Sequence, residues 1–342
     1  MNHSIKVLDN FKGSLLELRN YPNLKKLKIV NNGFDEELKY LPEGLKELTI
    51  LSNNFNKELK NLPVGLDALK IRSKKFNQKL DKLPEGLRVL KIKYCDDFNQ
   101  KLDKLPKCLE VLEIAGYHFN NFNQELDNLP EGLKELYIST SKFNKNLDNL
   151  PEGLKELKIY ECINFNKKID NLPKCLEVLE IGGYKFNQEL ELDNLPEGLK
   201  ELRILWCNNF NEELNNLPEG LKELKIYGCN NFNQKLDKLP ECLEVLEIRG
   251  YNFNQELKNL PVGLEVLGIM SNKFNQKLYT LPLSLKELNI WCDNFNQELD
   301  TLPLSLNKLN IEKKYLEYYS LEEVFDMIPF SCELYVKWNK KN

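Results

Sequence analysis

Residues 122–138 read FNQELDNLPEGLKELYI, and this stretch decides the fold because near-copies of it recur along the chain. Two of them are FNKNLDNLPEGLKELKI at 143–159 and FNEELNNLPEGLKELKI at 210–226. Prolines mark the period: from Pro22 to Pro303 they recur every 20 to 24 residues, which gives about 14 units. Repetition at this period predicts one elongated stack of coils rather than several globular domains.

Each unit carries one short strand and one compact return segment. In the unit that begins at Pro42 the apolar residues predicted to face the core are Leu45, Leu48, Ile50, Phe55, Leu59 and Leu62. The alternation around Leu48 and Ile50 predicts a strand of about four residues, stacked in parallel on its neighbours about 4.8 Å away. The eight residues from Phe55 to Pro63 leave no room for a regular helix of several turns.

The unit resembles the leucine-rich repeat superfamily, and within it the FNIP-type repeats. The resemblance rests on Phe-Asn-Gln, as at 76–78 and 274–276, followed by Leu-Pro-x-Gly-Leu, and it covers about residues 22–311. No Phe-Asn-Ile-Pro tetrapeptide occurs in this chain, which is a departure from the family name. The resemblance implies a curved solenoid and a role in protein interaction.

The predicted fold is therefore an α/β-class leucine-rich-repeat solenoid, or horseshoe, with one long parallel sheet on its concave side and mostly non-helical convex segments. The predicted domains are an N-terminal cap at 1–21, the repeat array at 22–311 and a C-terminal cap at 312–342. In the N-terminal cap, Ile5, Val7, Phe11 and Leu15 are expected to close the first coil. In the C-terminal cap, Ser320 and Glu323 form a capping box, which predicts a helix at about 320–328 and then a strand at 333–337. The apolar face expected on that helix consists of Leu321, Val324, Phe325 and Ile328.

A longer period of 67 residues overlies the coils from about 84 to 281. It relates Cys95 to Cys162 and Cys229, and LPKCLEVLEI at 105–114 to its copies at 172–181 and 239–248. On the outward strand positions, coils with E-V-L-E-I carry Glu where coils with L-K-E-L-K-I carry Lys. Opposite charges on neighbouring parallel strands are expected to fix the register as a solvated ladder.

Composition argues against several classes of function. The net charge is -4, from 48 basic and 52 acidic residues, which argues against a nucleic-acid binder. No apolar run is long enough for a membrane helix, and an odd number of nine Cys with no apolar signal region at the N-terminus favours an intracellular, cytoplasmic protein. With two His, His3 and His118, and no catalytic motif, the chain is predicted to be no enzyme and to hold no cofactor or metal.

Most conspicuous repeated residues have a structural interpretation. Cys95, Cys162, Cys207 and Cys229 are placed where the turn after the strand is capped, and Asn32, Asn53 and Asn272 are assigned to the same place in other coils. Cys207 and Cys229 lie on neighbouring coils and could approach each other. The Asn after each Phe is expected to form a hydrogen-bonded ladder. The small residue two positions after Pro indicates a need for a small side chain, since Cys and Ser replace Gly there.

Specificity is expected where the coils differ from one another, on the outward strand positions and just after the strand. Aromatic residues and Met are enriched at the centres of interfaces. The candidate partner-binding residues are Tyr94, Tyr137, Tyr160, Leu205, Trp206, Tyr227, Met270 and Trp291. The early coils are instead basic, with Arg72, Lys74, Lys91 and Lys93.

The leading hypothesis is a non-enzymatic scaffold that binds a protein partner through the concave face or the rim of the solenoid, with no nucleic-acid or membrane ligand. Two alternatives stay open. The chain could be a structural spacer or a self-associating repeat protein without a specific ligand, or a substrate-recognition subunit of a larger enzyme complex.

Overall fold

The computed structural model describes residues 5–9, 15–116, 120–186, 188 and 194–337. The chain divides into two compact units, Met1–Leu176 and Glu177–Asn342, called unit 1 and unit 2 below. The two histidines, His3 and His118, and Phe11 of the predicted N-terminal cap lie outside the described ranges. The domain boundaries at 21 and 311 stay a prediction.

Unit 1 is a stack of coils whose parallel strands follow one another in chain order. Each strand covers four or five residues, because only the L-x-I core of each repeat alternates between buried and outward side chains. The strands are β1 Ile5–Asp9, β2 Lys26–Val30, β3 Glu47–Leu51, β4 Ala68–Arg72, β5 Val89–Lys93, β6 Val111–Ala115, β7 Glu135–Ser139 and β8 Glu156–Ile159.

Unit 2 repeats this architecture, again with parallel strands in chain order. Its strands are β9 Val178–Gly182, β10 Glu201–Leu205, β11 Glu223–Tyr227, β12 Val245–Arg249, β13 Val266–Met270, β14 Glu287–Ile290, β15 Lys308–Glu312 and β16 Glu333–Lys337. From β2 to β15 the second place of each strand is Leu and the fourth is Ile, both buried; places one, three and five point outward. The predicted leucine-rich-repeat solenoid is confirmed.

Phenylalanine rings form the centre of each unit. In unit 1 consecutive rings from Phe34 to Phe165 stack with centroids 5.8 to 6.1 Å apart and planes within 13° of parallel. In unit 2 the rings from Phe210 to Phe295 stack in the same way, at 5.6 to 6.0 Å. Such pairs contribute about 0.5–1.5 kcal/mol each beyond the area they bury. Within each of these two rows, one ring per coil therefore ties a coil to the next.

In the described coils the Asn after the Phe forms the predicted ladder. The Asn77 side-chain Oδ1 accepts a hydrogen bond from the backbone N–H of Asn99 in the next coil, at 3.1 Å. In unit 2 the same bond joins Asn254 Oδ1 to the N–H of Asn275, at 3.0 Å. The Gln that follows often adds a second donor, as Gln100 Nε2 does to Asn77 Oδ1 at 2.9 Å. Phe-Asn-Gln is thus a structural signature, since Asn amides satisfy backbone groups that have no strand partner.

In the coils where Asn32, Asn53 and Asn272 were predicted to cap the turn after the strand, the capping residue is the one before that Asn. Ser52, Ser73 and Ser271 are buried at the cap, and the Ser52 hydroxyl donates to the carbonyl of Phe34 at 2.7 Å. Asn32, Asn53 and Asn272 are exposed, so their assignment to this place was wrong. Cys95, Cys162, Cys207 and Cys229 do occupy it, all buried. The prediction located the cap by counting residues forward from the Ile of the strand. In the structure the cap instead lies three residues before the Phe, because the Phe N–H donates to the carbonyl of the capping residue. Phe98 donates to Cys95 at 3.1 Å, and Phe76 donates to Ser73 at 3.2 Å.

The coils with these four Cys contain one extra residue between Ile and Phe. That residue adopts the left-handed conformation in each case, with φ values of 53° at Tyr94, 53° at Glu161, 57° at Trp206 and 67° at Gly228. The extra residue places the Cys back at the buried cap. The glycines two positions after Pro, by contrast, have no positive φ in the described ranges, so no left-handed backbone is required there, as predicted.

The C-terminal cap is confirmed in outline. Helix α1, Leu321–Met327, begins at the Ser320–Glu323 capping box, and β16 follows. Val324 and Ile328 are buried, but Leu321 and Phe325 are about half exposed, so the predicted apolar face is narrower than expected. A short 3-10 helix, Lys313–Glu317, completes the cap: its Tyr315 stacks on Phe295 at 5.6 Å and ends the row of rings.

The N-terminal cap differs from the prediction. Strand β1 pairs with β2 in a register that places Lys6 opposite Leu27 and Leu8 opposite Ile29. Ile5 and Val7 consequently point outward and are 60% and 55% exposed, so they do not close the core. Leu15, at the start of a 3-10 helix over Leu15–Asn20, is buried as expected.

Candidate functional site

The fifth strand places of unit 2 bring four of the predicted partner-binding residues into one row. Leu205 lies opposite Tyr227, Tyr227 opposite Arg249, and Arg249 opposite Met270. Trp291 directly follows the last residue of β14, and its N–H donates to the Ile269 carbonyl at 2.9 Å. We call Leu205, Tyr227, Arg249, Met270 and Trp291 the unit 2 row. All five side chains are partly exposed.

Arg249 is the member of the row that sequence reasoning missed. Its guanidinium carbon lies 4.2 Å from the centroid of the Tyr227 ring and 5.4 Å from that of Trp291. It also donates from Nη2 to Glu247 Oε1 at 3.2 Å. A search for outward aromatic residues passes over an arginine, although its strand place equals that of Tyr227 and Met270. The cation therefore joins two rings that lie three strands apart.

A carboxylate beneath the row holds the Tyr227 ring in place. The Tyr227 hydroxyl donates to Glu247 Oε2, and Lys225 Nζ lies 3.9 Å from the same oxygen. Burial raises the pKa of Tyr227, and the hydrogen bond to Glu247 raises it further. The phenol thus stays protonated and fixed, which lowers the entropy cost of presenting its ring to a partner.

Trp206 lies beside the row rather than in it. It is the extra residue of its coil, its side chain is 46% exposed, and its ring centroid is 6.2 Å from that of Tyr184. A Cβ at Gly228 would come within 2.3 Å of Trp206 Cε3, so the indole needs this glycine to lie against the next coil. The positive φ of Gly228 also suits glycine.

The three tyrosines predicted in unit 1 are not brought into one row. Tyr137 occupies the third place of β7, where its hydroxyl lies 2.8 Å from Glu135 Oε2 and 2.7 Å from Glu156 Oε2. Tyr160 directly follows β8, and its N–H donates to the Ile138 carbonyl at 3.1 Å. Tyr94 is the extra residue after β5, with the Arg72 guanidinium carbon 4.2 Å from its ring centroid.

Charged residues on the outward places of unit 2 form the predicted ladder. Lys200 Nζ contacts Glu177 at 2.5 Å and Lys222 Nζ contacts Glu244 at 2.6 Å. Arg203 is surrounded by three carboxylates: Glu180 at 3.5 Å, Glu201 at 2.9 Å and Glu223 at 2.7 Å. Burial lowers the pKa of Arg203, but the hydrogen bond and charge of Glu223 raise it overall.

The buried cysteines have the properties of core residues. Burial raises the pKa of the Cys95, Cys162 and Cys292 thiols to about 12, so they are protonated at neutral pH. Cys207 and Cys229 donate to backbone carbonyls, Cys207 to that of Leu205 at 3.3 Å and Cys229 to that of Ile204 at 3.6 Å. An interaction between the two thiols, which lie on neighbouring coils as expected, raises the pKa of Cys229 and lowers that of Cys207. Within the described ranges, His, Cys, Asp and Glu form no group of three or more that could hold a metal ion. No helix in those ranges is both long and apolar enough to cross a membrane.

The chain is similar to one repeat family and to solved structures of repeat proteins. Residues 165–205, 186–229 and 232–272 match the family described as FNIP Repeat. One similar solved structure is titled as that of CroV588, a novel circular LRR protein. It is 23% identical in sequence with a TM-score of 0.47, and the alignment covers 100% of this chain and 71% of the CroV588 chain. Another is a leucine-rich repeat protein from Bacteroides ovatus ATCC 8483, which is 13% identical with a TM-score of 0.29. The alignment covers 98% of this chain and 92% of that protein's chain. No curated protein matches the chain. Residues 165–229 and 232–272 therefore carry FNIP repeats, within a solenoid of parallel strands of the leucine-rich-repeat type.

Proposed function

We propose that this chain is a non-enzymatic interaction scaffold whose protein partner binds along the unit 2 row. The observation that carries the proposal is the register that aligns Leu205, Tyr227, Arg249, Met270 and Trp291 on successive coils. At the spacing of parallel strands the row is about 19 Å long, which suits one extended segment or one helix of a partner. Leucine-rich-repeat solenoids commonly use such surfaces for protein interaction.

The chemistry of the row supports a binding role. Tyr, Trp and Arg are the residues enriched among interface hot spots, and Met adapts to varied partners. None of the five belongs to the repeated core, whose places two and four remain Leu and Ile. The side chains are also held before binding, since Arg249 lies between two rings and Tyr227 is fixed by Glu247. Preorganised side chains lose less conformational entropy when a partner binds.

The test compares two matched double variants in capture from the extract of the protein's own cells, with quantitative mass spectrometry. Tyr227→Ala/Trp291→Ala removes both rings of the row. Tyr251→Ala/Tyr279→Ala removes two rings that are 53% and 65% exposed and lie outside it. We expect a partner captured by the parent and the control variant to be lost from the row variant, with an affinity fall of at least about tenfold once purified.

Equal capture by both variants would contradict the proposal. A molar mass that rises with concentration in light scattering, together with no captured partner, would favour the self-associating alternative. A captured partner with enzymatic activity would make this chain its recognition subunit, which is compatible with binding through the row.

A further inference from the structure

Four cations form a block on the outward face of β4 and β5 in unit 1. Lys70 lies opposite Lys91 and Arg72 lies opposite Lys93, in the third and fifth strand places. We call these four residues the basic block. Lys70 and Arg72 are exposed, and Lys91 and Lys93 are half-buried. Both β4 and β5 therefore present a positive charge at their third and at their fifth place.

The block is poorly neutralised by its own surroundings. Glu113 on β6 forms ion pairs with both Lys91, at 3.1 Å, and Lys93, at 2.5 Å, so one negative charge offsets two positive charges. No described carboxylate lies within 4.0 Å of Lys70 or Arg72 in the ranges that the structure covers. On the other side of β4, the third place of β3 is the uncharged Thr49. The block thus carries an excess of positive charge at the sheet surface.

The repeated core does not require this arrangement. Like charges directly opposite each other on neighbouring strands are destabilising. Arg203 and Lys225 in unit 2 are also opposite each other, but Glu180, Glu201, Glu223 and Glu247 contact one or both of them. The basic block lacks such compensation, and a surface of this kind is expected where an anionic ligand supplies the missing charge.

One member of the block is held ready for a ligand. The Arg72 guanidinium lies against the Tyr94 ring, at 4.2 Å from its centroid. Tyr94 reaches this position because it is the extra residue of its coil and adopts φ 53°. Stacking on a ring leaves the edge of a guanidinium open to a carboxylate, which it can bind through two parallel hydrogen bonds.

We propose that the basic block binds an acidic, extended polypeptide segment. Side chains on one face of an extended segment repeat at about 6.6 Å, the distance that also separates the third and fifth places of β4. The block spans only two strands, because its neighbours are the uncharged Thr49 and Leu51 on β3 and Glu113 on β6. A positive patch of this length matches a short run of Asp or Glu better than the long phosphate track of a nucleic acid. This surface is separate from the unit 2 row, and the two proposals can fail independently.

The experiment uses the full chain and a fluorescein-labelled decapeptide of alternating Glu and Ser, with fluorescence anisotropy at low and at high salt. The matched probe has Gln in place of every Glu. We expect the acidic peptide to bind at low salt, to weaken steeply with added salt, and to bind at least about tenfold tighter than the Gln peptide. Comparable binding of both peptides, or no binding of the acidic one, would overturn the proposal.

Variants locate the binding on the molecule. Lys70→Ser/Arg72→Ser should weaken binding at least about tenfold. Lys79→Ser/Lys101→Ser removes the same charge from exposed residues of unit 1 that lie after the Phe stack, and it should bind like the parent. Tyr227→Ala/Trp291→Ala should also bind like the parent, which separates this proposal from the previous one. Equal losses in the first two variants would show attraction to net charge alone and overturn the proposal.

A second probe distinguishes the class of macromolecule. An unlabelled single-stranded oligonucleotide of similar length is added in competition with the fluorescein-labelled acidic peptide. It should displace that peptide only weakly. Displacement at a concentration well below that of unlabelled peptide, lost in Lys70→Ser/Arg72→Ser, would overturn the peptide proposal in favour of nucleic acid. An unchanged circular dichroism spectrum and a cooperative unfolding transition of each variant verify that the fold is intact.

Discussion

Strands β4 and β5 of unit 1 and strands β10 to β12 of unit 2 share the same inward residues and differ in their outward ones. In both regions places two and four are buried Leu and Ile. In unit 2 Arg203 contacts three carboxylates and Lys225 contacts two. In unit 1 Lys70 and Arg72 face Lys91 and Lys93. The coil therefore tolerates opposite electrostatic arrangements on an identical core.

Stability and recognition are thus carried by different residues of the same repeat. Phe, Asn, Leu and Ile at fixed places hold each coil to the next, and their energy does not depend on the outward charges. Unit 2 uses its outward charges to stabilise itself and leaves rings exposed in one row. In unit 1 the basic block keeps an excess of positive charge, which we propose serves a ligand.

Removal of one ring from the stack should be equally damaging in both units. Phe122 lies 5.9 and 6.1 Å from its neighbours in unit 1, and Phe253 lies 5.9 and 6.0 Å from its neighbours in unit 2. Phe122→Ala and Phe253→Ala should each lower the free energy of unfolding by about 3–5 kcal/mol, through lost packing and a cavity. Urea unfolding followed by circular dichroism measures the effect.

Tyr251→Ala is the matched control, because this ring is 53% exposed and it should change stability by less than about 0.5 kcal/mol. A much smaller loss for one Phe variant than for the other would mean that the two cores are not equivalent, and the comparison would fail at its first step.

These shared features are the ones that sequence reasoning predicts well. Phe122 and Asn77 have the same neighbours in every coil, so the repeat itself reports their environment. Tyr94 and Trp206 are less predictable, because the left-handed conformation follows from a single extra residue. Ile5 and Phe325 illustrate a third case: an end coil has a neighbour on one side only, and the repeat no longer dictates which residue is buried.

The candidate site was predictable only in part. Tyr227, Met270 and Trp291 stood out as departures from the repeated residues, and the strand register aligned them. Arg249 became visible only through its distances to two rings, which depend on side-chain conformations across three strands. Contacts between particular side chains, such as those of Arg249 with the two rings, do not recur with the repeat. They therefore cannot be predicted from composition or spacing.

Replacement of one arginine should affect the two units unequally. Arg203→Met leaves Glu180, Glu201 and Glu223 without their shared cation and should lower the free energy of unfolding by about 1–3 kcal/mol. Arg72→Met loses only its stacking on Tyr94 and should cost less than about 1 kcal/mol. Urea unfolding at neutral pH measures both; losses of equal size would contradict the difference between the two surfaces.

The pH dependence gives an independent reading of the Arg203 effect. Burial raises the pKa of Glu223, but hydrogen bonds from Lys225 and Arg203 lower it overall. A carboxylate with a lowered pKa contributes stability that is present above its unfolded value, about 4.3, and is lost as pH falls through the folded value. The gap between the parent and Arg203→Met should therefore be full near neutral pH and shrink below about pH 4. A gap that stays constant to lower pH would show that packing, not charge, explains the loss.

The Asn ladder should again be equivalent in the two units, with a smaller effect. Asn77 Oδ1 accepts from Asn99 N and Gln100 Nε2, and Asn254 Oδ1 accepts from Asn275 N and Gln276 Nε2. Asn77→Ala and Asn254→Ala should each cost about 1 kcal/mol, since two donors lose their acceptor. Asn53→Ala, at an exposed residue outside the ladder, is the control. A neutral result for both ladder variants would mean that water replaces the bonds.

The smallest effect should change sign between the units. Lys70→Gln removes repulsion with Lys91 and should raise the free energy of unfolding by a few tenths, about 0.2–0.5 kcal/mol. Lys225→Gln, the same substitution in the same strand place, removes contacts of 3.0 Å to Glu223 and 3.9 Å to Glu247 and should lower it by about 0.5–1 kcal/mol. Both differences should diminish at high salt, because ions screen exposed charges. If Lys70→Gln destabilised the protein, the basic block would contribute to the fold after all, and the argument that it serves a ligand would lose its basis.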